Sequence, residues 1–251
     1  MLSLLSPMIG ALALSTDAAV TDCGRRKLLS DKHPAIQPLT AGPVEGSDLA
    51  ATLLRVAWLS VVLGLTIEVL LIILQASSGT LQDGRPLIPD FVNQVSWAVF
   101  VCVGLAVGTA AAKMRAPAMG LAGLFAAPLA FAIARFLQRV AGQALGVAVV
   151  ASAEPSLYLV ALLKAVEYAS LGTIIGWVGR QPWGGVSAHV VAGLIIGVVF
   201  GGAIVGLKSQ AASEPLAAAA LLAQGVNEIL FPVGCALVLF TAQALGKRAP
   251  R

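Results

Sequence analysis

Four ionisable residues stand in stretches of this chain that are otherwise apolar. They are Glu68 in "LTIEVLL", Lys164 and Glu167 in "LLKAVEYA", and Glu228 in "VNEILFPVG". A charge near the centre of a bilayer costs ~2.5–3.5 kcal/mol on insertion scales, and such residues mark ion and substrate pathways. Lys164 and Glu167 are three positions apart and share a helical face, where they can pair. That pairing leaves Glu68 and Glu228 in need of another cation, a proton or a hydrogen-bond donor. A carboxylate in that position is a carrier for H⁺ or Na⁺. The bland reading is a static, neutral network that locks helices together, and the sequence leaves both open.

Asn227 and Pro232 flank Glu228. Pro232 has no N–H to donate to the carbonyl of residue 228, one turn earlier. The expectation is a helix opened around Glu228, with an amide, a freed carbonyl and a carboxylate together, as in the broken-helix ion sites of transporters. An ordinary proline kink is the simpler alternative. Glu68, Lys164, Glu167, Asn227, Glu228 and Pro232 are therefore the candidate ion- or substrate-binding residues.

Other chemistry is sparse. Cys23, Cys102 and Cys235 have no metal-binding spacing and read as structural or incidental thiols. His189 stands alone in a span and His33 lies outside the apolar runs, so paired ligation of a haem is excluded. HExxH, GxSxG and GxGxxG are absent. "GGAIVGLKS" resembles a phosphate loop only superficially, because Leu207 separates Gly206 from Lys208. No metal or cofactor is expected, and an enzyme acting on lipid is the weakest reading.

The elements that must position these residues are helices. The 251 residues are 58% apolar and 11% charged, with a mean hydropathy of +0.91. A soluble domain carries about 25% charged residues, so most of this chain has no aqueous surface to cover. Runs of about 20 apolar residues suit helices crossing a ~30 Å hydrocarbon core. The expected fold is all-α and polytopic, with about six transmembrane helices near 54–75, 94–112, 116–138, 157–178, 187–207 and 216–245. Residues 140–153 are too short to cross, and either extend the third helix or lie along the interface. A polar, largely disordered tail (1–52), a transmembrane domain (53–246) and a basic C-terminus (247–251) complete the expected organisation. With a rise of ~1.5 Å per residue, Glu68, Lys164, Glu167 and Glu228 fall at one depth, roughly 10–15 Å below one boundary.

Small residues supply the packing signal. Gly104 and Gly108 in one span, and Gly193, Gly197 and Gly201 in another, recur every fourth residue and let helix backbones approach. Their position in the second and fifth spans, and glutamates in the first and fourth, fit a 3+3 inverted repeat. Chance matches between Ala- and Gly-rich helices fit as well. The stripe serves packing within the chain or in a homo-oligomer. Trp58, Trp97, Trp177 and Trp183 are expected mostly near the interfaces, as in aromatic belts.

Basic residues of the tail, of the segments around Lys113 and Arg180 and of the C-terminus outnumber Arg85, Arg135, Arg139 and Lys208 on the other side. That asymmetry puts both termini in the cytoplasm, with a bacterial inner membrane as the expected location. The net charge of +4 is thus accounted for without a nucleic-acid partner. The lipid bilayer is the expected surrounding, with a homo-oligomer or other membrane subunits as further partners. The expected function is a small transporter or channel linked to H⁺ or Na⁺. The alternative is a non-catalytic membrane subunit that anchors or assembles a larger complex.

Overall fold

In the computed structural model the described residues are 46–79, 87–110, 114–147, 157–212 and 217–248. They form six helices: α1 (Gly46–Ser77), α2 (Leu87–Val107, extended by a 3₁₀ turn, Gly108–Ala110), α3 (Arg115–Ala144), α4 (Leu157–Val178), α5 (Val186–Ala211) and α6 (Ala218–Arg248). All six are long and apolar enough to cross a membrane. Among the described residues there is no strand. The described residues are thus those of a helical membrane protein with six candidate spans.

The helices are apolar on every side rather than along one stripe, because their outer faces meet lipid and their inner faces meet one another. Trp58, Phe125, Phe136 and Val199 are exposed on the outside, where a water-soluble bundle would carry charge. Inside, small side chains such as Ala127, Ala130 and Ala134 of α3 let the helices close in. Each helix packs on its neighbours in sequence, and α6 closes onto α1 to complete a ring. The same helix also touches α2 and α4, which brings Glu228 towards the middle.

Several element boundaries differ from expectation. α1 begins at Gly46, within the stretch expected to be tail, because "GSDLAATLL" carries enough helix formers to continue the span below its apolar part. The first part of the 140–153 segment extends α3 to Ala144. Gly146 then ends the helix in a left-handed conformation (φ +66°), and the N–H of Val147 returns to the Gly142 carbonyl at 3.0 Å. A glycine tolerates that conformation at little cost. α6 runs on to Arg248. The tail up to residue 45, Cys23, His33, Arg85, Lys113 and Arg251 lie outside the described residues, as do the side chains of Lys247 and Arg248.

The glycine stripes work within the chain. Gly104 and Gly108 pack α2 against α3 at Ala126 and Met119. Gly193 and Gly197 pack α5 against α6, where a Cβ on either would lie 2.7 Å from Val233 Cα or 2.9 Å from Ile229 Cα. In both halves of the chain, then, the small-residue motif joins the second helix to the third. Gly201 brings α5 against the Cβ of Glu228 itself.

Candidate functional site

The α4 sequence "LLKAVEYA" places Lys164, Glu167 and Tyr168 on one face, at spacings of three and four. All three are buried. Lys164 Nζ donates to Glu167 Oε2 at 2.9 Å and also to Glu228 Oε2 on α6. The result is a carboxylate–ammonium–carboxylate triad spanning two helices. An ion pair removed from water is stable only when its charges and hydrogen bonds are met in full. Here one cation serves two anions. Oε1 of Glu167 is buried with no hydrogen-bond partner among the described residues, and the Tyr168 hydroxyl is in the same position.

Aromatic rings complete the surroundings of Lys164. Its ammonium lies 5.7 Å from the Trp97 ring centroid and 5.8 Å from that of Tyr168, within range of cation–π attraction. Trp97 is the hub of this wall. Its ring meets Phe131 at 6.4 Å, Tyr168 at 5.5 Å and Phe231 at 6.4 Å, all edge-on. Four helices thus converge on one side chain. Trp97 is buried at the centre of the bundle, not in an interfacial belt. Its position in the span, three residues past Gln94, turns it inward with that amide. Trp58, Trp177 and Trp183 are exposed on the periphery, the latter two in edge-to-face contact at 5.4 Å.

Beside the triad is a half-open cavity of about 110 Å³. Its charged lining is Arg135, Lys164, Lys208 and Glu228. Its amides are Asn93, Gln94 and Asn227. Gln94 Nε2 donates to Asn227 Oδ1 at 2.8 Å and ties α2 to α6. Arg135 is braced by Phe131, whose ring centroid is 5.3 Å from its guanidinium carbon. Five helices contribute. The cavity sits towards the end of the bundle where α3 and α5 finish and α2, α4 and α6 begin.

The candidate residues therefore separate into those that meet and one that does not. Lys164, Glu167 and Glu228 form one cluster, with Asn227 on the cavity wall alongside. Glu68 is equally buried (1% exposed), but on α1, which packs on α2 and α6; it belongs neither to the partners of Lys164 nor to the cavity lining. Pro232 does not break its helix. α6 is continuous from Ala218 to Arg248, so the expected unwound ion site is not formed. α5 packs closely on that turn, where a Cβ at Gly193 would lie 2.8 Å from the Pro232 carbonyl oxygen and 2.7 Å from Val233 Cα.

The remaining candidates have structural surroundings. His189 Nδ1 is 2.9 Å from the Gly185 carbonyl one turn earlier, and its ring lies 5.0 Å from Phe240. Cys102 of α2 and Cys235 of α6, unrelated in sequence, meet in the core with their sulfurs 2.8 Å apart. Among the described residues no group of three or more His, Cys, Asp and Glu side chains is placed to hold a metal ion. Trp97, Gln94, Asn93 and Lys208 are site residues that the sequence did not single out. The signal available was "VNQVSW", which puts two amides and a tryptophan at the depth of the buried charges.

No family model, curated protein or solved structure matches this chain. Its own geometry has to carry the functional reading.

Proposed function

We propose that this protein is a small ion-linked membrane transporter in which Lys164, Glu167 and Glu228 form the coupling site, with H⁺ as the coupling ion. The observation that carries this reading is the sharing of one lysine between two buried carboxylates on different helices. With all three ionised, the triad holds a net −1 in a setting that strongly disfavours charge. Uptake of one proton makes it neutral. Lys164 then needs only one carboxylate, and the α4–α6 tie through Glu228 is the one that can be released. A bond between two helices that is made or released with a proton is what a transport cycle needs to bias one arrangement over another. Na⁺ is the second coupling ion to consider, with Lys164 occupying the place of a bound cation.

The excess of basic residues near the termini supports a bacterial inner membrane with both termini cytoplasmic. In that orientation the cavity faces the side opposite the cytoplasm. Reporter fusions at the C-terminus test the orientation directly.

The functional test is reconstitution of the purified chain into vesicles carrying a pH-sensitive dye, with and without a Na⁺ gradient. Proton flux that disappears in Glu228→Gln and Glu167→Gln, both still folded and inserted, is the expected result. A folded preparation that moves no ions and purifies in fixed ratio with foreign subunits would overturn transport and leave the anchoring role.

A further inference from the structure

The end of the bundle away from the cavity, where α3 and α5 begin and α4 finishes, has a different character. Arg115 opens α3, and Arg180 stands just past the end of α4. No Asp or Glu occurs between Asp90 and Glu154, or between Glu167 and Glu214. Neither α3, nor α5, nor the part of α4 beyond Glu167 therefore has a carboxylate to offer these arginines. α1 begins at this end too, but packs on α2 and α6.

The fold brings the two arginines together. A Cβ at Gly176 would lie 2.7 Å from Ala116 Cα, so the start of α3 packs directly on the last turn of α4. The Arg115 guanidinium lies over the turn that follows, with Nη2 3.9 Å from where a Cβ on Gly179 would be. Arg180 is the next residue and is within electrostatic range of Arg115. A helix C-terminus favours a cation, which accounts for Arg115 lying over α4. It does not account for a second guanidinium beside the first, since like charges repel. Nor does it complete the hydrogen bonds of Arg115, whose Nε is buried without a partner among the described residues. Arg180 has other interactions as well, so Arg115 is the arginine on which a site here is built. Trp177 and Trp183 flank the same turn, both exposed and in edge-to-face contact at 5.4 Å. Tryptophans at the ends of apolar spans sit at the level of the lipid headgroups. The anionic group at hand in that layer is a phosphate, whose oxygens match a guanidinium with two parallel hydrogen bonds.

We propose that Arg115, with Arg180 beside it and Trp177 and Trp183 at its edge, binds the headgroup of an anionic phospholipid. The phosphate takes the Arg115 fork, and its charge offsets the repulsion between the two guanidinium groups. The tryptophan rings pack against the lipid where headgroup meets acyl chain. In the orientation proposed above, this end meets the cytoplasmic leaflet, whose surface is negative. The site goes beyond the transport reading and does not depend on it, since lipid binding needs no ion gradient and no flux.

Native mass spectrometry of the full-length chain, released from nanodiscs of phosphatidylglycerol and phosphatidylcholine in equal parts, tests it. The chain should retain phosphatidylglycerol in preference to phosphatidylcholine of the same acyl chains. Arg115→Gln should lower that preference by about tenfold, the size of one charge-assisted contact. Arg115→Lys should keep part of it, with the charge present and the fork lost. Arg139→Gln, towards the opposite end of α3, should leave it unchanged. Gly179→Asp reads the site with both arginines in place. Its carboxylate would stand against Arg115 and exclude the phosphate, so the preference should fall while melting in pure phosphatidylcholine is not lowered. Where Arg115→Gln fails to fold, Gly179→Asp supplies the same reading. Equal retention of the two lipids by the folded chain, or a preference unchanged in both Arg115→Gln and Gly179→Asp, overturns the proposal. An equal fall in Arg139→Gln overturns it too, because lipid choice would then follow overall charge rather than this site. So does displacement of phosphatidylglycerol by millimolar inorganic phosphate, which would make the patch a site for a soluble anion.

Discussion

Lys164 of α4 and Glu228 of α6 stand 64 positions apart in the chain and are hydrogen-bonded to each other in the buried interior. Glu167 receives the same ammonium at 2.9 Å. The charges are thus unequal in number, which makes the outcomes of single substitutions asymmetric.

Replacing Lys164 by Met should be far more damaging than replacing Glu228 by Gln. The first leaves two carboxylates facing each other without a cation, and breaking a buried pair in this way costs about 3–5 kcal/mol. The second leaves a neutral Lys164–Glu167 pair. Thermal melting of the variants in one detergent checks this. Equal melting temperatures for the two would contradict the shared-lysine geometry, and Lys164→Met combined with both Glu167→Gln and Glu228→Gln should recover much of the loss, since no uncompensated charge then remains in the triad.

Trp97→Ala should destabilise the bundle by about 3 kcal/mol or more, the range for deleting a large buried ring. It removes the edge-on contacts to Phe131, Tyr168 and Phe231 together with a cation–π partner of Lys164. Trp58→Ala, on the exposed periphery, should shift melting much less. A Trp58 effect as large as that of Trp97 would mean that the hub is not where the packing energy resides.

Gly197→Val should separate α5 from α6, since even a Cβ there would lie 2.9 Å from Ile229 Cα. Overpacking of this kind costs about 1–3 kcal/mol. Gly202→Val is the control, because a Cβ at Gly202 meets nothing within 4 Å. If the stripe served an oligomer instead, Gly197→Val would change the oligomeric state in native mass spectra and leave monomer stability untouched.

The contact between Cys102 and Cys235 predicts that the two thiols can be joined. In a Cys23→Ser background, a membrane-permeant oxidant should give an intramolecular disulfide, seen as a linked peptide pair on digestion. Either serine variant, Cys102→Ser or Cys235→Ser, should abolish it. Recovery of only intermolecular links would show that α2 and α6 do not meet at that level.

Much of the architecture is legible in composition. Apolar runs of bilayer length exist because every backbone N–H and C=O in hydrocarbon must be satisfied within its own segment, and that constraint acts locally. Lys164 and Glu167 could be paired on paper for the same reason, since helical spacing is a local property. Equal depth of Lys164, Glu167 and Glu228 follows from the rise per residue. Depth alone, however, does not give azimuth. Glu68 satisfied the same depth rule and is not in the cluster, because α1 and α4 occupy separate places in the ring.

Residue types and local periodicity thus determined that this chain is a helical membrane protein with costly charges inside it. Tertiary structure alone decided which of those charges share a lysine, which amides and cations line the cavity, and that Trp97 joins them in the interior. It also decided that Pro232 would remain within a continuous helix. The reason is physical: spans that are apolar all round carry little record of which face turns inward, so packing at glycines and alanines selects the rotation of each helix and, with it, the membership of the site.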